Sequence, residues 1–563
     1  MTTLWSTNQR SPYMGFSFTF PFEPDTRYQK KVAYLCMEYG IDQALKIYAG
    51  GLGFLAGSHL RSAYDLKQHL VAVGILWKYG YYTQVRKQDQ RMDVLFEEKR
   101  YGFLTETDIR FTVRVAKHDV QVAVYYLDPL IFQTAPLFLL STDIPENDYL
   151  AQTITHKLYD ANPETNLAAS ILLGEGSVRL FEQLSWQPEC IHLNESHALP
   201  LYFQVYKKVK DKQALRQQVV YTNHTPEPAG NKISSMSLLE KMGFFCDVPL
   251  SEIRTLTQTS GETLDHTQVA LKLSRKANAV SKKHLQTLEQ SWASASDRCP
   301  IVSITNGQHF RYWHQDSLYR LKNEKNEIGW QAEKKRLKRL LFELVADQCG
   351  EIYHDHICTL VFAKRFSGYK RHDLLLNDMD RFEKLINNNE HPVQIIWAGK
   401  PYPMDYAGIG TFDKIAELCK NKANCVILTG YELYLSKRLK AGADVWLNMP
   451  RLNHEASGTS GISAAMNGAV NVGIPDGWYP EFAKDKQNGF VVPAADPALP
   501  DPVQDEQDAD HLFCLLEQEV LPLYYDFPSR WTSIAWNAMD DIYPLFDSNR
   551  MADEYYQKLY SSQ

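Results

Sequence analysis

The 563-residue sequence has no Cys-x-x-Cys pair, no run of basic residues and no apolar stretch long enough to cross a bilayer. Its nine cysteines are scattered, which is typical of reduced thiols rather than of a disulfide framework. The formal net charge is -7 and no RNA-binding aromatic motif appears, so nucleic acid is not a predicted partner. The first residues lack the charged segment and apolar core of a signal peptide. We therefore expect a cytoplasmic protein with no membrane partner.

One short segment offers side chains that ligate metals: His354, Asp355, His356 and Cys358. It leads directly into the apolar run 358–363. We interpret it as the edge of a buried strand and predict no metal site.

Through most of the chain, short apolar runs alternate with longer amphipathic stretches. This pattern is typical of buried parallel strands joined by crossover helices. The predicted strands include residues 31–36, 70–75, 218–222, 393–398 and 425–429. Residues 110–126 alternate like antiparallel strands instead, which indicates an inserted or edge meander.

The length and the 44% hydrophobic content predict more than one core. A lysine-rich helix predicted over residues 331–344 follows a turn-rich stretch, and we place a domain boundary near it. A loop rich in Pro and Asp is predicted over 494–506. The expected fold class is α/β, with two doubly wound Rossmann-like domains and ligands in the cleft between them.

Three stretches have the chemistry to bind an anion. Gly50-Gly51-Leu52-Gly53 opens an apolar helical stretch after a predicted strand, although a tight turn also needs glycine. Residues 363–371 carry four cations at the end of a predicted strand, and the alternative there is a solvated charged face. Residues 455–467 begin with a carboxylate and continue as a Gly/Ser/Thr loop into a predicted buried helix, and the alternative there is a helix cap.

Together these residues resemble the α-glucan (glycogen, starch and maltodextrin) phosphorylase family, particularly its shorter bacterial members. The resemblance runs from about Val32 to Tyr556. Its segments include YAGGLGFLAGSHLRSAYDL, CIHLNESHALP, ITNGQHF, VFAKRFSGYKRHDLL, VILTGYELYL and EASGTSGISAAMNGAV.

The resemblance implies the GT-B glycosyltransferase architecture. Residues 1–315 would form an N-terminal Rossmann-like domain with inserted strands, and residues 316–530 a second one that binds donor and phosphate. Residues 531–563 would form a C-terminal helix that crosses back to the first domain.

The resemblance also implies roles for single residues. Arg365, Lys370, Glu455 and His197 match the catalytic group: the two cations hold substrate phosphate, and Glu455 and His197 contact the sugar. The matched cofactor positions, around pyridoxal 5′-phosphate, are Gly51, Lys364, Tyr431 and Thr459. The matched substrate contacts are Asn306, Tyr369, Ser457 and Gly458.

At one position the sequence departs from the family pattern. The lysine that forms the cofactor's imine stands eight residues after the glutamate, where this chain has Ser463, and no lysine lies between Lys440 and Lys484. Pyridoxal phosphate is therefore expected to bind without a covalent bond or to be absent.

Three hypotheses follow for function. The first is a retaining glucosyltransferase acting between α-1,4-glucan and phosphate. The second is a retaining transferase that uses UDP- or ADP-glucose, because two adjacent phosphates also match a nucleotide-sugar diphosphate. The third is a non-catalytic glucan-binding or regulatory protein. The predicted partners are α-glucan or maltooligosaccharide, with phosphate, glucose 1-phosphate or a nucleotide sugar, and a homodimer is one assembly that fits.

Overall fold

The computed structural model describes residues 15–226, 231–293 and 295–561. The strands of these residues form a nine-stranded sheet, a six-stranded sheet and two small two-stranded sheets. Their bounds are β1 (Val32–Leu35), β2 (Leu70–Ile75), β3 (Thr83–Arg86), β4 (Met92–Leu95), β5 (Thr105–Val115), β6 (His118–Leu127), β7 (Leu137–Ser141), β8 (Cys190–Asn194), β9 (Val219–Thr222), β10 (Ile233–Ser235), β11 (Thr263–Asp265), β12 (Lys276–Ala279), β13 (Ile301–Ser303), β14 (Cys358–Ala363), β15 (Val393–Ala398), β16 (Cys425–Leu428), β17 (Val445–Asn448), β18 (Val470–Gly473) and β19 (Gly489–Val491).

The nine-stranded sheet has the order β13-β12-β9-β8-β1-β2-β7-β6-β5. Its strands pair in parallel from β13 to β7, and β6 and β5 add an antiparallel edge. Every residue of β1, β2 and β8 is buried, as expected for strands covered on both faces. The strand predictions at 31–36, 70–75 and 218–222 and the antiparallel meander at 110–126 are confirmed.

The six-stranded sheet is parallel throughout and has the order β16-β15-β14-β17-β18-β19. This is the order of a doubly wound α/β sheet, which reverses direction between its first and fourth strands, here β14 and β17. The strands predicted at 358–363, 393–398 and 425–429 are confirmed. Ligands of such sheets bind at the carboxyl ends of the strands beside this reversal.

Helices cover both sheets and fill most of the connections. Their bounds are α1 (Gly51–Asp65), α2 (Pro129–Phe132), α3 (Tyr149–Thr153), α4 (Pro163–Gln183), α5 (Pro200–Val209), α6 (Lys212–Gln218), α7 (Met236–Met242), α8 (Leu250–Thr257), α9 (His266–Leu273), α10 (Lys282–Ser291), α11 (Phe310–Trp313), α12 (Asp316–Asn323), α13 (Glu327–Cys349), α14 (Met379–Ile386), α15 (Tyr406–Cys419), α16 (Leu433–Gly442), α17 (Ser460–Ala465), α18 (Tyr479–Phe482), α19 (Asp501–Leu515), α20 (Leu521–Asp526), α21 (Pro528–Phe546) and α22 (Ser548–Glu554).

The end of the chain packs against elements of the nine-stranded sheet. The Tyr28 hydroxyl donates to Asp553 at 2.6 Å, and the hydroxyl oxygens of Ser62 and Ser548 lie 2.5 Å apart. The Gln68 amide donates to the Ala552 carbonyl at 3.0 Å. Because α21 also contacts α17, β18 and β19, the last helices join the two sheets.

Two details differ from the sequence predictions. The loop predicted over 494–506 ends early, because α19 begins at Asp501 with a proline in its first turn, where the missing N–H costs nothing. The glycines at 50–53 do open a helix, but β1 ends at Leu35 and an irregular segment, not a strand, leads into them. The helix predicted at 331–344 is confirmed and is longer, as α13.

Among the described residues, no cluster of three or more His, Cys, Asp or Glu side chains is arranged to hold a metal ion. The strand after residues 353–357 is β14, as predicted, and His354 and His356 are exposed beside it. No helix in the described part of the chain has the length and apolar character that a membrane span requires.

Candidate active site

A cavity of about 530 Å³ lies where the carboxyl ends of strands from both large sheets meet. Elements around the nine-stranded sheet supply one wall and the loops after β14 and β17 supply the other. The cavity wall includes all but one of the sequence-predicted site residues: Gly51, His197, Asn306, Lys364, Arg365, Tyr369, Lys370, Tyr431, Glu455, Ser457, Gly458 and Thr459. Ser463 does not reach the wall.

Lys364 and Arg365 follow directly after β14, and the backbone there is held rigidly. The Lys364 N–H donates to the Ala398 carbonyl at 3.1 Å, and the Lys364 carbonyl accepts from the His372 ring at 3.2 Å. Gly399 has φ +156°, and a Cβ at that position would stand 1.8 Å from the Lys364 carbonyl oxygen. Only glycine therefore allows the two strand ends to approach this closely.

The other two cations of the 363–371 run have different partners. The Lys370 ammonium lies 2.7 Å from the Glu455 carboxylate, and both side chains are largely buried. Arg371 points away from the cavity and pairs with Asp508 at 2.7 Å and Asp505 at 3.1 Å. Three of the four cations therefore line the cavity, and the fourth, Arg371, is held away from it by ion pairs.

Glu455 stays ionised although it is buried. Burial opposes its charge, but Lys370 and Lys364 outweigh that effect and hold the pKa of Glu455 below its ordinary value. Its backbone N–H donates to the Asp476 carboxylate at 2.9 Å. For Asp476 burial is the dominant effect and raises its pKa to about 6. Glu455 is therefore a fixed negative acceptor facing the cavity cations.

Lys364 differs from its neighbours because its ammonium has no hydrogen bond or ion pair within the described residues. The side chain is 6% exposed. Burial, and then the positive charge of Lys370, lowers the pKa of Lys364 to about 7. An anion in the cavity would supply the partner that this ammonium lacks.

Two helix starts lie close together at the cavity wall. Gly51 begins α1, and a Cβ built on Gly51 would lie 3.9 Å from the Thr459 hydroxyl, just before α17. Gly458 has φ +75°, which favours glycine, and this turn presents the loop backbone to the cavity. The free N–H groups at the start of the 15-residue α1 favour a negative ligand.

Polar atoms without partners point to a polar ligand on the opposite wall. His197 Nδ1 and Asn306 Oδ1 are buried and have no hydrogen-bond partner in the described part of the chain. Both residues line the cavity. Burial, and then Lys232, lowers the pKa of His197 to about 4, so its ring is neutral and offers both a donor and an acceptor. Unpaired buried polar groups are costly unless a ligand satisfies them.

Sequence reasoning missed two carboxylates that line the cavity on this wall, Glu38 and Glu195. Glu195 has φ +72° and accepts hydrogen bonds from the Tyr221 hydroxyl and from the backbone N–H groups of Ser196 and His224. Glu38 accepts from the Tyr159 hydroxyl at 2.8 Å and from the Ala49 N–H at 2.7 Å. The available signal was an acidic residue at the carboxyl end of each buried strand, Glu195 directly after β8 and Glu38 three residues after β1, where cleft residues of parallel sheets lie.

Ser463 lies behind the cavity wall on α17. It is fully buried, and its hydroxyl donates within the helix to the carbonyls of Thr459 at 3.2 Å and Ser460 at 3.3 Å. An apolar cluster beside it includes Phe54 and Trp313. The Lys440 ammonium packs on the Trp313 ring, 3.6 Å from its centroid, and does not line the cavity.

Comparison with known proteins gives consistent matches along the chain. A family model described as carbohydrate phosphorylase matches residues 307–489. The chain is 33% identical to the maltodextrin phosphorylase of Thermococcus litoralis, over 97% of this chain and 72% of that protein. It is 30% identical to the glycogen phosphorylase of Aquifex aeolicus, over 95% of this chain and 86% of that protein. An uncharacterized protein of Methanocaldococcus jannaschii is 43% identical over its whole length and 94% of this chain.

Proposed function

The chain belongs to the carbohydrate phosphorylase family, and we propose that it is a retaining glucosyltransferase that moves glucosyl units between α-1,4-glucan and phosphate. The observation that carries the proposal is the pairing of two walls in one cavity. One wall has cations for phosphate, and the other has unpaired polar atoms for sugar hydroxyls.

In this proposal the phosphate wall is built by Arg365, Lys364 and Lys370. A phosphate between them would receive charge-assisted hydrogen bonds, and the start of α1 at Gly51 would add backbone donors. The cations are fixed before substrate arrives, because they follow β14 and its rigid backbone contacts. They would stabilise the charge that develops on phosphate and on the departing oxygen in the transition state.

The sugar wall would be built by His197, Asn306, Tyr369 and Glu455. The first two bring unsatisfied polar atoms, and Glu455 brings a carboxylate whose charge is kept by Lys370. Ser457 and Gly458 lie beside Glu455 in the loop before α17 and would complete the contact. These groups recognise hydroxyls, which fits an α-glucan or maltooligosaccharide end.

The two sheets would correspond to two Rossmann-like domains of a GT-B enzyme, residues 1–315 and 316–530, with residues 531–563 crossing back. The supporting observation is that both sheets bring the carboxyl ends of parallel strands to one cavity. The hydrogen bonds that join residues 548–553 to Tyr28, Ser62 and Gln68, in segments next to the nine-stranded sheet, support the crossing.

The residues present fit one end of pyridoxal phosphate. Lys364, Thr459 and Tyr431 line the cavity and suit its phosphate and ring, and when bound the group supplies a proton donor and acceptor at its phosphate. The cofactor cannot be attached covalently at residue 463, because a serine hydroxyl cannot form an imine and the Ser463 side chain is buried. We therefore propose that any such cofactor is held without a bond at this position.

The proposal is tested by incubating the protein with maltodextrin and inorganic phosphate, with and without pyridoxal phosphate, and measuring glucose 1-phosphate. Release of glucose 1-phosphate is expected. A second assay supplies UDP-glucose and ADP-glucose and measures nucleotide release. Nucleotide release without phosphorolysis would make a nucleotide sugar, and not glucose 1-phosphate, the glucosyl donor. No turnover with any donor would leave a glucan-binding protein.

Replacing Ser463 with lysine tests the donor site directly. Residue 463 lies one helical turn beyond Thr459 at the cavity wall, so we expect the introduced amine to retain pyridoxal phosphate at least about tenfold longer in dialysis, with a yellow imine absorbance. The matched control is Ser463→Met, which adds similar bulk without an amine. Equal cofactor loss from both variants would favour a cavity rebuilt for a nucleotide sugar.

A further inference from the structure

A second cavity, of about 210 Å³, lies at the opposite edge of the six-stranded sheet from the first. It is lined by residues of α13, α20 and α21, and by Asp355 and Asp444, which lie shortly before β14 and β17. The first cavity lies beyond the carboxyl ends of the same strands, and the six residues of β14 separate the two edges by about 20 Å. Among the described residues none lines both cavities, so the second is a separate site.

The walls of the second cavity are rich in aromatic side chains. Trp330 on α13 and Trp531 on α21 are 3% and 6% exposed, and Tyr524 and Tyr525 on α20 are partly buried. The Tyr524 ring packs edge-on against the Trp531 ring at a centroid distance of 5.3 Å and against the Tyr525 ring at 5.0 Å. These contacts hold the rings in place, and such walls favour a planar apolar ligand.

The second cavity also carries a net positive charge. The Lys338 ammonium on α13 pairs with Asp444 at 2.5 Å, and Asp355 pairs with Arg339, which does not line the cavity. His356 completes the set of acidic and basic side chains in the wall, together with Lys334 and Lys335. Neither of these two lysines has an ion pair within the described residues, so their charges are not compensated by the protein.

The two unpaired lysines favour an anion in different ways. Lys334 is buried, and its ammonium donates to the carbonyls of Ala441 at 2.8 Å, Ala443 at 2.9 Å and Asn467 at 3.2 Å. These carbonyls use its three protons but do not neutralise its charge, and burial lowers the pKa of Lys334 to about 8. A nearby anion would offset the cost of this buried charge. Lys335 is exposed, and its ammonium is free to donate to that anion directly.

The size of the cavity limits the ligand further. Sites for drug-sized ligands have about 300–1,000 Å³, so the second cavity suits one or two rings rather than a nucleotide or an oligosaccharide. We propose that the second cavity binds a small aromatic carboxylate, with its ring against Trp330, Trp531 and Tyr524 and its carboxylate on Lys335. Such binding requires neither glucan nor turnover, and it goes beyond the proposed glucosyl transfer.

The test is calorimetric titration of the whole protein with cinnamate, a planar aromatic carboxylate. We expect one molecule to bind per chain with a Kd below about 1 mM. Cinnamamide keeps the ring but lacks the charge, and it should bind at least about tenfold more weakly. The saturated analogue 3-cyclohexylpropanoate keeps the charge but lacks the aromatic ring, and it should bind at least about threefold more weakly. Saturating maltodextrin and phosphate should leave the cinnamate Kd unchanged, because the first cavity is separate.

Variants of Lys335 locate the site. Lys335→Met removes the free cation and should raise the cinnamate Kd about fivefold, whereas Lys335→Arg should keep the affinity. The matched control is Lys384→Met, which removes an exposed lysine of α14 outside the cavity and should change nothing. Thermal unfolding checks that each variant is folded. The comparison of the three ligands on the unmodified protein stands by itself if a variant fails to fold.

Several outcomes would overturn the proposal. They are no binding of cinnamate, equal binding of cinnamamide, and equal weakening by Lys335→Met and Lys384→Met. Displacement of cinnamate by maltodextrin or phosphate would place it in the first cavity instead and would also overturn the second site. Glucose 1-phosphate release is measured separately, so failure of this site and failure of the proposed phosphorolysis are distinguishable.

Discussion

Replacing Arg365 with alanine is expected to lower kcat/KM for glucosyl transfer at least about a hundredfold, which corresponds to about 2.7 kcal/mol of transition-state stabilisation. Arg365 lines the cavity and has no ion pair among the described residues, so its charge is available to phosphate. Lys370 cannot replace it, because Glu455 already neutralises that ammonium. The loss should therefore appear with phosphate and with a nucleotide sugar alike.

The matched control for this prediction is Arg100→Ala. Arg100 is 88% exposed in an ion pair with Glu98, so its removal should leave both transfer and stability nearly unchanged. Steady-state kinetics with each donor, together with thermal unfolding of both variants, give the comparison. If the Arg365 variant keeps its activity, the donor phosphate binds elsewhere and the proposed phosphate wall is wrong.

The residues predicted to bind an anion lie on one cavity because parallel strands end in predictable places. The apolar run 358–363 predicted β14, and the cations after it could only lie at the carboxyl edge of a sheet. The individual roles within the run were not predictable. Arg371 turns to Asp505 and Asp508 on α19, more than a hundred residues later in the chain, and periodicity carries no information about such distant partners.

The residues proposed to contact sugar show a second limit of prediction from sequence. His197 and Asn306 were predicted as ligand contacts from the family resemblance, and the structure places both on the cavity with unpaired polar atoms. The carboxylates Glu38 and Glu195, which line the same cavity, were not predicted. Each is recognisable only by its backbone and side-chain partners, which the fold assembles from separate segments.

The lack of an ion-pair partner for Lys364 among the described residues also follows from the three-dimensional arrangement alone. In the sequence it is one of four cations, and the family resemblance assigns Lys364 and Lys370 different ligands but does not show which of them is paired with a carboxylate. The fold gives Glu455 to Lys370 and leaves Lys364 buried beside a positive charge. The same electrostatics would make Lys364 an anion ligand when protonated.

The largest expected loss of stability comes from Lys338→Met, a change behind the six-stranded sheet. The Lys338 ammonium on α13 lies 2.5 Å from the Asp444 carboxylate, just before β17, and the two side chains are 1% and 6% exposed. Without Lys338 the buried carboxylate keeps, among the described residues, only the Thr359 N–H and the Tyr524 hydroxyl as donors. Breaking one side of a buried pair costs about 3–5 kcal/mol, and we expect the free energy of unfolding to fall by that amount.

Chemical denaturation of three variants tests this expectation. Lys420→Met removes an exposed ion pair with Glu417 and should cost less than about 1 kcal/mol. The double variant Lys338→Met with Asp444→Asn removes both charges and should be less destabilised than Lys338→Met alone, because no unpaired carboxylate is left in the interior. A Lys338→Met protein as stable as Lys420→Met would mean that water reaches the Asp444 carboxylate. The ion pair would then contribute little to holding α13 against the start of β17.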